Sequence, residues 1–359
     1  SEETTGYACE ESFSGGDEFR VAPLGPDEWV ILTADAVRRT SDGCNFEKVR
    51  DLPRVPSDHA VHPSSGSVVF LLNTQDAQES GVYYSSDAGQ SWSRLGVDAS
   101  ERHFTRAEFL DEQTLLVSGY SKATDSQGDA RLFEVSVQDG STSAVSIPSG
   151  LDYAYLLDHE AGSILWQATG EENQKVFWGT LDTPAEHERV IESWPNGGVL
   201  SDDGTQAWLV ATSTESKGVI TSTDGEQWET ISADHSGLCV GRTDGEIYVC
   251  AKRDREGHDL SRLTGDGITG AVNFEELTGP RSSCGSDSDV ANTCSSAWNE
   301  LSQALGGGAG GDAGVSDAGD GGSSSGGCTT RPGGGSGAAP AAWLVASLLG
   351  MLALRRRAD

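Results

Sequence analysis

Short apolar runs recur along the first three quarters of the chain, each bounded by polar, glycine-containing turns. The runs at 29–33, 68–72, 114–118, 163–167, 207–211 and 246–251 are rich in Val, Leu, Ile and Trp. Period-two placement, as in Leu115/Val117 and Trp208/Val210, predicts antiparallel strands rather than helices. Each run is followed by a polar loop, a second strand and a hairpin whose closing arm falls at 46–49, 92–95, 144–147, 189–192, 228–231 or 274–277. The unit repeats roughly every 40–50 residues, the period of propeller blades. The expected fold over residues 16–280 is therefore all-β: an antiparallel β-propeller of about six blades. A seventh blade, closed by pairing N- and C-terminal strands, stays open; a β-sandwich does not account for the period.

Three hairpins share a finer pattern: Ser85-Ser86-Asp87-Ala88-Gly89-Gln90-Ser91-Trp92, Ser222-Thr223-Asp224-Gly225-Glu226-Gln227-Trp228 and Thr40-Ser41-Asp42-Gly43-Cys44-Asn45-Phe46. A hydroxyl residue stands two positions before an aspartate, and a glycine and an aromatic residue follow. The carboxylate can accept from turn N–H groups, glycine takes a positive φ, and the ring anchors the returning strand. The Ser85 copy is one residue longer than the other two. The pattern resembles the Asp-box, or BNR repeat, and the resemblance implies a propeller in which these residues hold hairpins. In the remaining units it has degenerated, as in 133–140.

Asp-box proteins include sialidases, so the resemblance also raises an enzyme. Such chemistry implies an arginine cluster, a Tyr/Glu nucleophile pair and an acid/base aspartate, with the first arginine in a Phe/Tyr-Arg-Ile-Pro motif. Phe19-Arg20-Val21-Ala22-Pro23 looks like that motif with one extra residue. No inner-strand Tyr–Glu pair is evident, and Arg38, Arg39 and Arg94 fall in polar runs or hairpin arms. Arg20 is accordingly read as a surface or edge residue. His59, His62, His103 and His159 show neither ligand spacing nor a nucleophile partner. No catalytic residue, metal or other cofactor is assigned, and Trp178 and Trp194 are read as blade core rather than sugar-stacking rings.

Beyond residue 280 the pattern changes. Asp287 or Ser288 can cap a helix whose stripe is Cys294, Trp298, Leu301 and Leu305, giving a short helical unit at 281–305. A Gly/Ser/Asp-rich linker, expected to be disordered, follows at 306–337, and a hydrophobic tail at 338–359. The tail's uncharged stretch approaches the roughly 17–25 residues that cross a bilayer as a helix. Gly326-Gly327-Cys328, the apolar run 341–354 and the closing Arg355-Arg356-Arg357 resemble the MYXO-CTERM sorting tags of myxobacterial surface proteins. That resemblance implies cleavage by a sorting protease near Cys328 and lipid on that cysteine. The expected address is outside the cytoplasm, at the cell surface or outer membrane, anchored by tail or lipid. The first residue is Ser1, read as the result of signal-peptide removal.

An oxidising exterior favours disulfides among the seven cysteines. Cys239 and Cys250 flank a hairpin turning at Asp244-Gly245 and should face each other. Cys284 and Cys294 are paired by proximity and Cys9 and Cys44 by elimination, leaving Cys328. The chain carries 24 Lys+Arg against 56 Asp+Glu, a formal net charge of −32. That excludes nucleic acid and anionic headgroups as partners. The expected function is a non-catalytic, monomeric cell-surface binding or scaffold protein that meets an extracellular glycan or another surface protein. The alternative is a sialidase-like or other glycoside hydrolase.

Overall fold

The computed structural model describes residues 3–4, 20–100, 102–122, 130–170, 173–191, 195–211, 218–235, 239–243, 245–251, 257–264, 267–273, 278–280 and 283–294. Among them stand six four-stranded antiparallel sheets, each built from consecutive strands in the order of the chain. The first holds β2 (Arg20–Pro23), β3 (Trp29–Leu32), β4 (Ala36–Thr40) and β5 (Glu47–Asp51). The second holds β6 (Asp58–Val61), β7 (Val68–Leu72), β8 (Gly81–Ser85) and β9 (Ser93–Arg94). The third holds β10 (Arg102–Phe109), β11 (Thr114–Ser121), β12 (Ala130–Ser136) and β13 (Thr142–Val145). The fourth holds β14 (Ala154–Glu160), β15 (Ser163–Thr169), β16 (Gln174–Thr180) and β17 (His187–Ile191). The fifth holds β18 (Gly197–Leu200), β19 (Ala207–Ala211), β20 (Gly218–Ser222) and β21 (Glu229–Ser232). The sixth holds β22 (Val240–Thr243), β23 (Glu246–Cys250), β24 (Leu260–Thr264) and β25 (Gly267–Val272). The first strand of each sheet lies beside the first strand of the next, from β2 through to β22. This arrangement is consistent with a β-propeller of six blades, and no seventh four-stranded sheet is present among the described residues.

Each second strand is buried on both faces, because its alternate residues enter the cores on either side of the sheet. In β15, Ile164 and Trp166 join Leu116, Leu132 and Leu156 between the third and fourth blades. Leu165, between them in sequence, joins Trp178, Leu200, Leu209 and Ile220 between the fourth and fifth. Trp178 is thus core, as its sequence context suggests; Trp194 lies outside the described residues. Fourth strands are exposed at the rim: both residues of β9 and three of the four in β13 face solvent.

Every third strand ends on a hydroxyl residue: Thr40, Ser85, Ser136, Thr180, Ser222 and Thr264. In the three patterned hairpins this hydroxyl contacts the aspartate and accepts from the glycine N–H, at 2.8 Å for Gly43, 2.8 Å for Gly89 and 2.9 Å for Gly225. The aspartate accepts in turn from Cys44 and Asn45, from Ser91, and from Glu226 and Gln227. Trp92 and Trp228 donate from Nε1 to the carbonyl of their own turn glycine. The extra residue of the longest copy is absorbed by Ala88, held at φ 56°.

The chain's return differs from expectation in three respects. The last hairpin arm is β25, Gly267–Val272, several residues before the anticipated 274–277, which lie outside the described residues. A two-residue strand β1 (Glu3–Thr4) pairs in parallel with β26 (Thr278–Pro280), forming a separate ribbon rather than completing a blade. Cys284 is bonded to Cys44, 240 residues away, and not to Cys294; Cys44 is correspondingly not paired with Cys9, which lies outside the described residues. Proximity along the chain misleads here because the segment after the sixth blade crosses onto the first. Val290 N–H donates to Cys44 O, and Asp289 accepts from Phe46 N–H at 2.7 Å. Ser288 caps the short π-helical turn Val290–Cys294 by accepting from Ala291 N–H. Cys239–Cys250 forms across the β22–β23 hairpin as the turn demands. Residues 295–359, with the helical stripe, linker, Cys328 and apolar tail, lie outside the described residues. No described helix is long and apolar enough to cross a membrane.

Candidate functional site

Five of the six innermost strands carry polar residues that interrupt the apolar pattern; β18, Gly197–Leu200, does not. β10 and β14 both break register, β10 between Phe104 and Arg106 and β14 between Leu156 and Asp158. Bulges of this kind re-aim side chains. In β14 the slip sets Tyr155 opposite Gln167 and Asp158 opposite Leu165, two positions apart on one face of β15. In β10 the bulged Thr105 turns its hydroxyl onto Ala154 O at 2.7 Å and Ser118 Oγ at 2.7 Å, tying the third blade to the fourth.

At the ends of β6, β10 and β14 lies a cavity of about 440 Å³, walled by His62, Glu108, Asp158, His159, Glu160 and Arg242, among others. Its carboxylates already have work. Asp158 accepts from Leu200 N–H of the next blade at 2.6 Å, and Glu108 accepts from the backbone N–H of His159. Asp58, on β6, accepts likewise from Ala107 N–H at 2.9 Å. Each thereby fastens one innermost strand to the next. Burial pushes Glu108 well above the usual carboxylate range, reinforced by the charges of Asp158 and Asp58. Burial also pushes Asp158 up to about 6, against the Leu200 N–H and the charge of Arg242. Arg242 forms ion pairs with Glu160 and Asp202, joining the fourth, fifth and sixth blades.

Farther along the same strands, His59 Nε2 donates to Val21 O at 2.8 Å, fixing the tautomer. Burial depresses this imidazole most, Asp58 opposes, and Arg20 and Arg106 depress it further. Arg20, read from sequence as an edge residue, therefore stands on the innermost strand of the first blade with its charge felt at His59.

A second cavity, of about 360 Å³, opens at the opposite end of β14. Among described residues it is lined by Tyr153, Tyr155, Gln167 and Thr169. Tyr153 is 41% exposed and meets Tyr120 edge-on at 4.6 Å. Gln167 is 7% exposed, and its Oε1 is buried without a hydrogen-bond partner.

The hairpin aspartates lie away from both cavities, in β4–β5, β8–β9 and β20–β21 turns. Burial raises Asp42, but donation from Asn45, Cys44 and Thr40 outweighs it and holds the carboxyl at about 2. The same opposition keeps Asp87 low, chiefly through Ser91. A Tyr–Glu contact does exist, Tyr248 donating to Glu246 at 2.6 Å, but on the second strand of the sixth blade, where Glu246 also binds Arg262. No group of three or more His, Cys, Asp or Glu suited to a metal occurs among the described residues.

No protein-family model matches the chain. No curated protein matches it either. Among solved structures it is similar to an ancestral GH74 enzyme at 12% identity and TM-score 0.48, covering 75% of this chain and 40% of that one. It is similar to a chain of a Nidogen/Laminin complex at 11% identity and TM-score 0.45, covering 66% and 88%. A third likeness is to TolB from Acinetobacter baumannii, at 11% identity and TM-score 0.43, covering 69% and 61%. Likeness at this level says nothing of this chain's ligand or chemistry.

Proposed function

We propose that this protein is a non-catalytic binding or scaffold protein, exported and displayed at the cell surface through its C-terminal segment. The three patterned hairpins serve as Asp-boxes, structural staples of the display platform. The observation that carries the reading is the commitment of the inner charged groups. Asp58, Glu108 and Asp158 each accept a backbone N–H of the neighbouring blade, and Arg242 is held by two carboxylates. Groups bound in this way brace the ring. Surface display follows from the tag-like order of Cys328, the apolar run and the terminal arginines. Replacing Cys328 with serine should release the protein to the medium or leave it as precursor. Unchanged anchoring and intact mass would defeat the anchor.

A glycoside hydrolase is the second reading, favoured by one observation: Arg20, Arg106 and Arg242 all stand on innermost strands. Fluorogenic glycoside assays on the full chain separate the two. Turnover abolished by Arg20→Ala or Glu108→Gln overturns the binding-only reading; no turnover, with ligand binding retained, supports it.

A further inference from the structure

The cavity at the start of β14 has a chemistry unlike the charged one at its far end. Its described lining is two tyrosines, an amide and a hydroxyl, with no charged side chain. At about 360 Å³ it falls within the range of small-molecule sites, roughly 300–1,000 Å³. Gln167 is its most telling member. A buried amide oxygen without a donor costs the fold free energy, and such groups are ordinarily satisfied. Gln167 Oε1 is left without a partner at 7% residue exposure, on a residue that lines the cavity. Tyr155 lies directly across the β14–β15 register from it, and Thr169 follows two positions along the same face. Tyr153 presents its ring to solvent beside Tyr120.

We propose that Tyr153, Tyr155, Gln167 and Thr169 form a binding site for a neutral carbohydrate. A pyranose ring has an apolar C–H face, which packs on an aromatic ring, and a hydroxyl edge, which supplies the donor that Gln167 Oε1 lacks. Tyrosine and threonine hydroxyls can donate or accept and so suit further sugar hydroxyls. An anionic sugar fits poorly: the described lining holds no cation, and the chain's net charge is −32. The proposal rests on the binding reading above and gives it a ligand class and a place.

The full chain is tested on an array of neutral glucose, mannose, xylose and galactose oligosaccharides beside galacturonate oligomers, then by titration calorimetry with the strongest neutral binder. Tyr153→Ala removes an exposed ring; Gln167→Met replaces the amide with an apolar side chain of similar length. Each should weaken neutral-glycan binding about tenfold or more. Gln167→Met should leave the ligand-free thermal midpoint unchanged or higher, because it removes an unsatisfied buried acceptor. A purely structural Gln167 would instead lower the midpoint and leave affinity alone. Preference for galacturonate, binding indifferent to both variants, or absence of glycan binding overturns the proposal. Capture of a protein partner without glycan binding would sink this site and spare the binding reading, whereas glycoside turnover would sink that reading itself.

Discussion

Gly89 answers two demands at once. Its φ of 79° is the left-handed conformation that closes the turn. An added Cβ would also stand 2.4 Å from Val30 Cγ2 of the preceding blade. Gly225 is pressed in the same way against His187, and Gly140 against Gly96. Gly89→Ala should cost about 2–4 kcal/mol, adding backbone strain to a steric clash, as measured by denaturant unfolding. Asp87→Asn or Trp92→Ala should cost roughly 1–4 kcal/mol without removing a specific activity. The aspartates also set an acid limit. Asp42 sits at about 2 in the folded protein and near 3.8 otherwise, so its stabilisation is present above about 4 and is lost as pH falls towards 2. The unfolding midpoint followed from pH 4 to 2 should fall less steeply in Asp42→Asn. The turn chemistry was legible because hydroxyl, aspartate, glycine and ring are local. The contact with Val30 was not, since it joins residues that only the packing of blades brings together.

Strands were legible in proportion to their burial. The runs at 68–72 and 207–211 coincide with β7 and β19, whose faces lie largely in core. The outer arms were placed less well, and the last was misplaced, because a rim strand such as β25 has mostly exposed or half-buried residues and little apolar signature. The innermost strands had no place in the sequence reading: polar pairs such as Asp58-His59 and Asp158-His159 give no apolar run, and only the packing of blades makes strands of them. Gln167 was a missed signal, a polar residue closing the apolar run Ile164-Leu165-Trp166 in a buried strand. The inner carboxylates give the element its own pH dependence. Because Asp158 is raised to about 6, it binds its proton more tightly folded than unfolded, so stability falls as pH rises from about 4 to 6. Asp158→Asn, which keeps an acceptor for Leu200 N–H, should raise stability at pH 7 by about 1–3 kcal/mol. It should also flatten the curve between pH 4 and 6; an unchanged curve would remove Asp158 as its source.

At the scale of the whole molecule, the segment after the last blade is tied back to the first from outside the blades, by the Cys44–Cys284 bond. The two disulfides among the described residues span very different loops, 240 and 11 residues. On loop entropy alone, removing the first should cost about 5 kcal/mol and the second about 3 kcal/mol. Calorimetry of Cys44→Ser/Cys284→Ser against Cys239→Ser/Cys250→Ser checks the order, and equal losses would contradict it. Sequence placed Cys239 opposite Cys250, a pair local to one hairpin, but not Cys44 with Cys284, because pairing across the ring depends on where the chain returns. The bond also decides how force travels. A pull on the chain beyond Cys294 reaches Cys284 before it reaches the sixth blade, and there it passes through sulfur into the β4–β5 turn of the first. A covalent link and the Asp289–Phe46 and Val290–Cys44 hydrogen bonds take the strain, while the strands of the last blade are shielded from being peeled away one by one.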